Sequence, residues 1–200
     1  MKKLGITAGG LFVAYGIIRL IDGANGDRGP GLAWTSGHLL FLVGLLLFGA
    51  ILLLARRTLT RRRSLATAAV VVGLIGVAAF VRVILTDLIV GFRAEDHADM
   101  SRVRLEYDGW PGHLAIYEPL QTLGPILFLA GLLTLAVLLT LEHHLTIWSP
   151  VLLLAGFIVI SAQLDLMPLG GAMLGAAFAI SSTTGTRDRR RTSAASSRPT

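Results

Sequence analysis

Almost the whole chain is divided into apolar stretches that are long enough, or nearly long enough, to cross a lipid bilayer. A hydrocarbon core of about 30 Å takes roughly 20 helical residues at 1.5 Å each. Six stretches meet or approach that length, at about 4–21, 37–55, 65–92, 119–141, 147–163 and 166–182. Inside lipid a backbone N–H or C=O has no water to bond, so segments of this kind fold as helices. The expected fold class is all-α, a polytopic bundle of six transmembrane helices. Lys2 and Lys3 before the first stretch resemble the start of a secretory signal. No clean small-x-small cleavage site follows, so the first helix is expected to be retained.

Charge placement sets the orientation. Only 15% of the 200 residues are charged, against about a quarter in soluble domains. The net charge of +6 sits beside the spans, which points to topology and anionic headgroups rather than nucleic acid. Lys2 and Lys3, then Arg56, Arg57, Arg61, Arg62 and Arg63, then Arg187, Arg189, Arg190, Arg191 and Arg198 all fall on one side of a six-span chain. The other side carries Asp22, Asp27, Glu95, Asp96, Asp99, Glu106, Asp108 and Asp165, with Arg28, Arg93, Arg102 and Arg104 among them. Short loops rich in Lys and Arg stay in the cytoplasm. Both termini are therefore expected inside, in the plasma membrane. The connection 93–116 is then the largest outer loop, and 183–200 a disordered basic cytoplasmic tail. Arginine far outnumbers lysine and Ala, Gly and Leu abound, a composition associated with high-GC Gram-positive bacteria.

Helices in lipid associate through close packing of small residues. Gly171, Gly175 and Ala179 repeat at every fourth position in the last stretch, as do Ala69 and Gly73 in the third and Gly5 and Gly9 in the first. These faces are expected to pack against neighbouring helices of the same chain. Pro125 falls inside the fourth stretch and is expected to kink it. Trp34, Trp110, Trp148, Tyr107 and Tyr117 lie near span boundaries, where aromatic side chains anchor at the interface.

Polar groups inside spans are costly and mark function by default. Here they share one depth, the outer boundary: Arg19 and Asp22, His38, Arg82 and Asp87, Glu118 and Gln121, and Gln163. The simplest account is interfacial side chains reaching for water. The functional account is an outward polar pocket in which these eight residues bind a ligand, with Arg19 and Arg82 toward an anionic or headgroup-like portion. The midplane carries no Asp, Glu, His, Lys or Arg, which argues against a proton relay or an ion-coupled pump. Metal binding is not expected. His97 with Asp96 and Asp99, and His113 with Glu118, lack the spacing that puts two histidines on one helix face. Without cysteine there are no disulfides, thiolate metal sites or thiol nucleophiles. No catalytic residue and no cofactor is assigned.

Three stretches, 34–54 (WTSGHLLFLVGLLLFGAILLL), 148–160 (WSPVLLLAGFIVI) and 168–180 (PLGGAMLGAAFAI), resemble hypothetical six-span membrane proteins common in actinobacteria. The resemblance covers most of the chain and implies the six-helix fold, with no activity attached to it. The chain is also similar, in span number and length, to the substrate-binding subunits of energy-coupling importers. Those meet their partner through small residues on the first helix, a pattern that Gly10 and Ala14 approximate. The leading expectation is a non-enzymatic protein that binds a lipid or small molecule, or an accessory subunit of a membrane complex, with membrane lipids and a protein as partners. A transport component is the alternative. A lipid-modifying enzyme with an outward site, drawing on His38, Asp87 and Glu118, is the second.

Overall fold

The computed structural model describes residues 1–24, 26 and 28–180. Asp27, the end of the sixth stretch beyond 180 and the basic tail lie outside the described residues. Among those described, all regular structure is helical: α1 (Lys2–Asp22), α2 (Leu32–Thr58), α3 (Arg63–Arg93), α4 (His97–Tyr107), α5 (Tyr117–Leu141), α6 (Trp148–Ala162) and α7 (Met167–Ala179), with a short 3₁₀ turn (Leu164–Leu166) between the last two. Four of these, α1, α2, α3 and α5, are long and apolar enough to cross a membrane. At 1.5 Å per residue α3 is roughly 46 Å long, whereas α6 and α7 reach only roughly 22 and 20 Å. Each of the six apolar stretches coincides with a helix, but only four of those helices are long enough to span, and α6 and α7 are shorter than the stretches expected there. The four long helices continue past the last apolar side chain into the polar flanks.

Each apolar helix runs antiparallel to the next. Residues near the start of α1 meet the end of α7: a Cβ on Gly5 would touch Phe178, one on Gly9 would touch Gly175, and one on Gly16 would touch Pro168. Gly171 and Gly175 therefore face α1, with only main chain between the two axes, while Ala179 is half-buried. Gly10 points away from every neighbour, with nothing within 4 Å of a Cβ built there. The α3–α5 pair is as close. A Cβ on Gly76 would lie 2.3 Å from the Phe128 nitrogen, and one on Gly131 would lie 2.5 Å from the Ala69 oxygen. Pro125 sits within α5 on the turn that follows Gly124.

Two helix pairs built on glycine are thus bridged by α2, which packs on both α1 and α3. The hairpin of α6 and α7 lies on α1, and α5 meets α6 only sparsely. Side chains at the centre are large and fully buried, among them Phe48, Leu45, Ile51, Leu52, Leu135 and Leu153. Five phenylalanine rings form a closed circuit across four helices. Phe12, Phe41, Phe80, Phe128 and Phe48 follow one another at centroid separations of 4.7, 6.1, 6.1 and 5.9 Å, and Phe48 returns to Phe12 at 5.3 Å. Such tilted and edge-on pairs are the favoured aromatic arrangements.

The two ends of the bundle differ in construction. At the end bearing Lys2, Lys3 and the arginines of 56–63, Glu142 joins two connections. Its carboxylate accepts hydrogen bonds from the Thr60 N–H and hydroxyl, each at 3.0 Å, and from the Arg61 N–H at 2.9 Å. These donors, the Thr60 amide foremost, hold the Glu142 carboxyl below the usual glutamate range. At the opposite end the long connection contains the polar helix α4, which starts at His97. Asp96 caps it by accepting from the Asp99 N–H at 2.9 Å. Met100 and Val103 on its inner face pack on Val90 and Ala94, forming a second small core. Turns over 108–112 follow directly.

Candidate functional site

The helix ends at the α4 end of the bundle enclose the chain's most polar interior. At its centre is Asp87, in the last two turns of α3. Its Oδ1 lies 2.7 Å from Arg104 Nη2 of α4, and its Oδ2 lies 3.7 Å from His38 Nε2 of α2. The Arg104 approach is close but off-axis for a hydrogen bond, so the attraction is mainly Coulombic. The Asp87 main-chain oxygen accepts from the Trp34 indole N–H at 2.8 Å. Trp34 fits there because Gly91 has no side chain: a Cβ on it would lie 2.3 Å from the indole Cδ1. The indole also tilts over the His38 ring, centroids 4.3 Å apart. Trp34 thus clamps α2 to α3, a role the interfacial-anchor expectation did not foresee. Trp110 and Trp148 remain substantially exposed.

Directly beneath lies a cavity of ≈ 300 Å³ walled by α1, α2, α3, α5, α6 and α7. Tyr15, His38 and Asp87 form its polar end. The remainder is apolar, including four rings of the phenylalanine circuit together with Leu45, Ile84, Met167 and Leu174. The cavity is not sealed. Pro125 and Phe128 on α5 face Phe157, Ile160 and Ser161 on α6 across the gap that the sparse α5–α6 packing leaves. Large apolar side chains flank that gap on the outer surface, with Ile126 and Ile158 both 57% exposed.

A second, polar hollow of ≈ 490 Å³ lies above α3 and α5, lined by Arg82, Asp108, His113, Tyr117, Glu118 and Gln121 among others. Arg82 is held in its wall. Its guanidinium donates to the Trp110 carbonyl at 2.9 Å and to the Asp108 carbonyl, and it lies 4.2 Å from the centroid of the Tyr117 ring. Its partners are therefore main-chain oxygens and a π-face. A small space of ≈ 30 Å³ shares lining residues with both the hollow and the cavity. Arg82, Asp108 and Gln121 of the hollow line it, and so does Val83 of the cavity, with Thr86 and Arg104 completing the ring.

The eight residues expected to share one pocket are distributed along this belt. His38 and Asp87 meet at the cavity. Arg82, Glu118 and Gln121 surround the outer hollow. Arg19 and Asp22 line a narrow crevice beside His38, where Arg19 and Arg28 both pair with Asp165, at 3.3 and 2.7 Å. Gln163 is exposed at the start of the 3₁₀ turn and lines none of these spaces. The sequence reading missed Arg104 and Tyr15 as partners of the centre. Arg104 had a signal: Met100, Val103 and Tyr107 form an apolar stripe on a short helix, and position 104 lies beside it. Among the described residues no group of three metal-ligating side chains is assembled. His97, for one, is bonded to the Arg28 carbonyl. No family model, no curated protein and no solved structure matches the chain.

Proposed function

We propose that the chain is a six-pass membrane protein that takes up an amphiphilic molecule from the bilayer, without chemistry on it. The observation that carries this reading is the cavity: apolar and aromatic walls, polar atoms gathered at one end, and a side gap between α5 and α6. Apolar cavities stay dry and accept apolar guests, and ligand sites combine such walls with a few placed polar groups. A molecule entering sideways would bring its tail among the phenylalanines and its head to Tyr15, His38 and Asp87. In this reading α6 and α7 cross the membrane with the four longer helices, at a place where the bilayer thins or their flanks reach outward. Both termini are cytoplasmic in the plasma membrane, because the end carrying Lys2, Lys3 and Arg56 to Arg63 is the basic one.

Mass spectrometry of the purified full chain tests the uptake. A lipid should copurify, and Ser161→Trp, which adds bulk at the exposed mouth, should lower its amount several-fold without lowering thermal stability. An unchanged amount would overturn the reading. Topology has its own test. The chain lacks cysteine, so Arg61→Cys and Asp99→Cys can be labelled singly with an impermeant thiol reagent. The two should label from opposite sides, and labelling of both from one side would exclude the six-pass arrangement.

A transport role is the second reading. It is favoured by the polar hollow and the small space beside it, which share lining residues with each other and with the cavity and would join water to its interior if movement of Arg82 and Arg104 opened a path between them.

A further inference from the structure

The polar end of the cavity has a definite hydrogen-bonding character. His38 Nδ1 lies 2.8 Å from the Trp34 carbonyl oxygen. A carbonyl can only accept, so Nδ1 carries the proton. In the neutral ring Nε2 is then a bare acceptor, and it points at Asp87 Oδ2, which is also an acceptor. At 3.7 Å the two are too far apart to share a proton directly. No other hydrogen bond to either atom occurs among the described residues. Both side chains line the cavity, and His38 is 7% exposed. Two acceptors that face one another at the cavity wall, one on buried His38 and one on the largely enclosed Asp87, favour a donor from outside the protein.

Charge narrows the choice. Arg104 already balances Asp87. A carboxylate or phosphate head would face the Asp87 carboxylate, and the nearest further cation, Arg19, which reaches Tyr15 at this end, is already paired with Asp165. An ammonium head would add a positive charge to a pair already neutral. Either would bury a charge without a partner, which costs far more than a neutral hydrogen bond returns. A hydroxyl brings one donor and no charge.

We infer that the cavity selects an uncharged lipid whose head is a hydroxyl group, its one proton shared between His38 Nε2 and Asp87 Oδ2 as a three-centre bond, with its hydrocarbon among the phenylalanines. This rests on the uptake reading above. A long-chain alcohol and a diacylglycerol both present that head, and they differ in the bulk of the hydrocarbon attached to it.

The test is a competition on the full wild-type chain in detergent, using a hexadecane bearing a photoreactive diazirine as the probe. Crosslinks to Phe128, Phe157 or Ile160 would place hydrocarbon in the cavity. Hexadecanol and dioleoylglycerol should displace the probe at concentrations about tenfold below those needed for palmitate or hexadecylamine, the difference one well-made hydrogen bond to a charged acceptor supplies. If hexadecanol alone competes, the hydroxyl-headed ligand is single-chained; if dioleoylglycerol competes as well, the gap admits two chains. Palmitate or hexadecylamine competing as well as the alcohol would overturn the inference and leave the uptake reading standing. Failure of the probe to crosslink at these residues would overturn both. His38→Phe, which keeps a ring beneath Trp34 and Tyr15, should lower the potency of hexadecanol toward that of unlabelled hexadecane. The wild-type competition decides the matter even if that variant does not fold.

Discussion

Gly76→Leu should prevent the chain from folding. A Cβ at this position would lie 2.3 Å from the Phe128 nitrogen, 2.6 Å from the Gly124 oxygen and 2.7 Å from the Phe128 Cα. All three are main-chain atoms, so no rotamer change relieves the clash, and α3 and α5 would have to separate. Overpacking that side chains can absorb costs ~1–3 kcal/mol. Here the crossing itself is lost, and with it burial on both helices. The variant is expected in the aggregated fraction on size-exclusion chromatography, or to melt far below wild type. Gly9→Leu should behave alike, because its Cβ would meet Gly175 and the Gly171 carbonyl at 2.5 to 2.7 Å. Gly10→Leu supplies the contrast. It adds the same side chain one position along, where nothing lies within 4 Å, and should melt within a few degrees of wild type. Equal damage at positions 9 and 10 would mean that α1 presents a different face to α7.

Arg104→Ala should destabilise the α4 end of the bundle more than Asp87→Asn does, although the two remove the same ion pair. The Asp87 side chain is 15% exposed and that of Arg104 is 46% exposed. Removing the arginine leaves a carboxylate in a largely apolar setting. Removing the carboxylate charge leaves a guanidinium that can turn to water. Breaking a fully buried pair from one side costs ~3–5 kcal/mol. With one partner half in solvent, ~1–2 kcal/mol is expected for Arg104→Ala and less than ~1 kcal/mol for Asp87→Asn. The double variant should recover most of the loss. Thermal melting gives the totals. Hydrogen exchange at the Met100 and Val103 amides locates the effect, since Arg104 holds α4 against α3 together with those two side chains. Equal effects of the single variants would show that the pair is solvated and that α4 is held by packing alone.

The helical architecture was legible because long apolar stretches fold as helices. Length and apolar content marked the four helices long enough to cross a membrane and the two shorter ones after them, and the four-residue spacing of Gly171 and Gly175 marked a surface that the structure places against α1. That Arg19, His38, Asp87 and Glu118 lie at one end of the bundle was also readable, since each sits near the same end of its apolar stretch. What a linear reading could not supply was direction around each helix. Asp87 turns toward His38 and Arg104, whereas Arg82, five residues earlier, points into the outer loop and bonds its carbonyls. Hydropathy windows also average over the phenylalanines. Phe12, Phe41, Phe80 and Phe128 read as four generic span residues, and only their convergence from four helices makes a chamber of them. Asp165 was visible as a turn residue, but its pairing with both Arg19 and Arg28 depends on the α6–α7 hairpin folding back beside α1.

The uneven packing around the bundle has a mechanical consequence. Glycine crossings weld α1 to α7 and α3 to α5 main chain against main chain. Interfaces of that kind shear poorly, because any slide drives backbone into backbone. The bundle therefore divides into two stiff leaves, α1 with α6 and α7, and α3 with α4 and α5. They are joined along one edge by α2 as a spine and only lightly along the other. At the far end of the light edge, the connection between α5 and α6 is tied to the loop of Thr60 and Arg61 through Glu142, which pins the bottom of the seam. The cheapest deformation is thus a book-like opening at the α4 end, widening the gap beside Ser161 while both bindings of glycine stay intact.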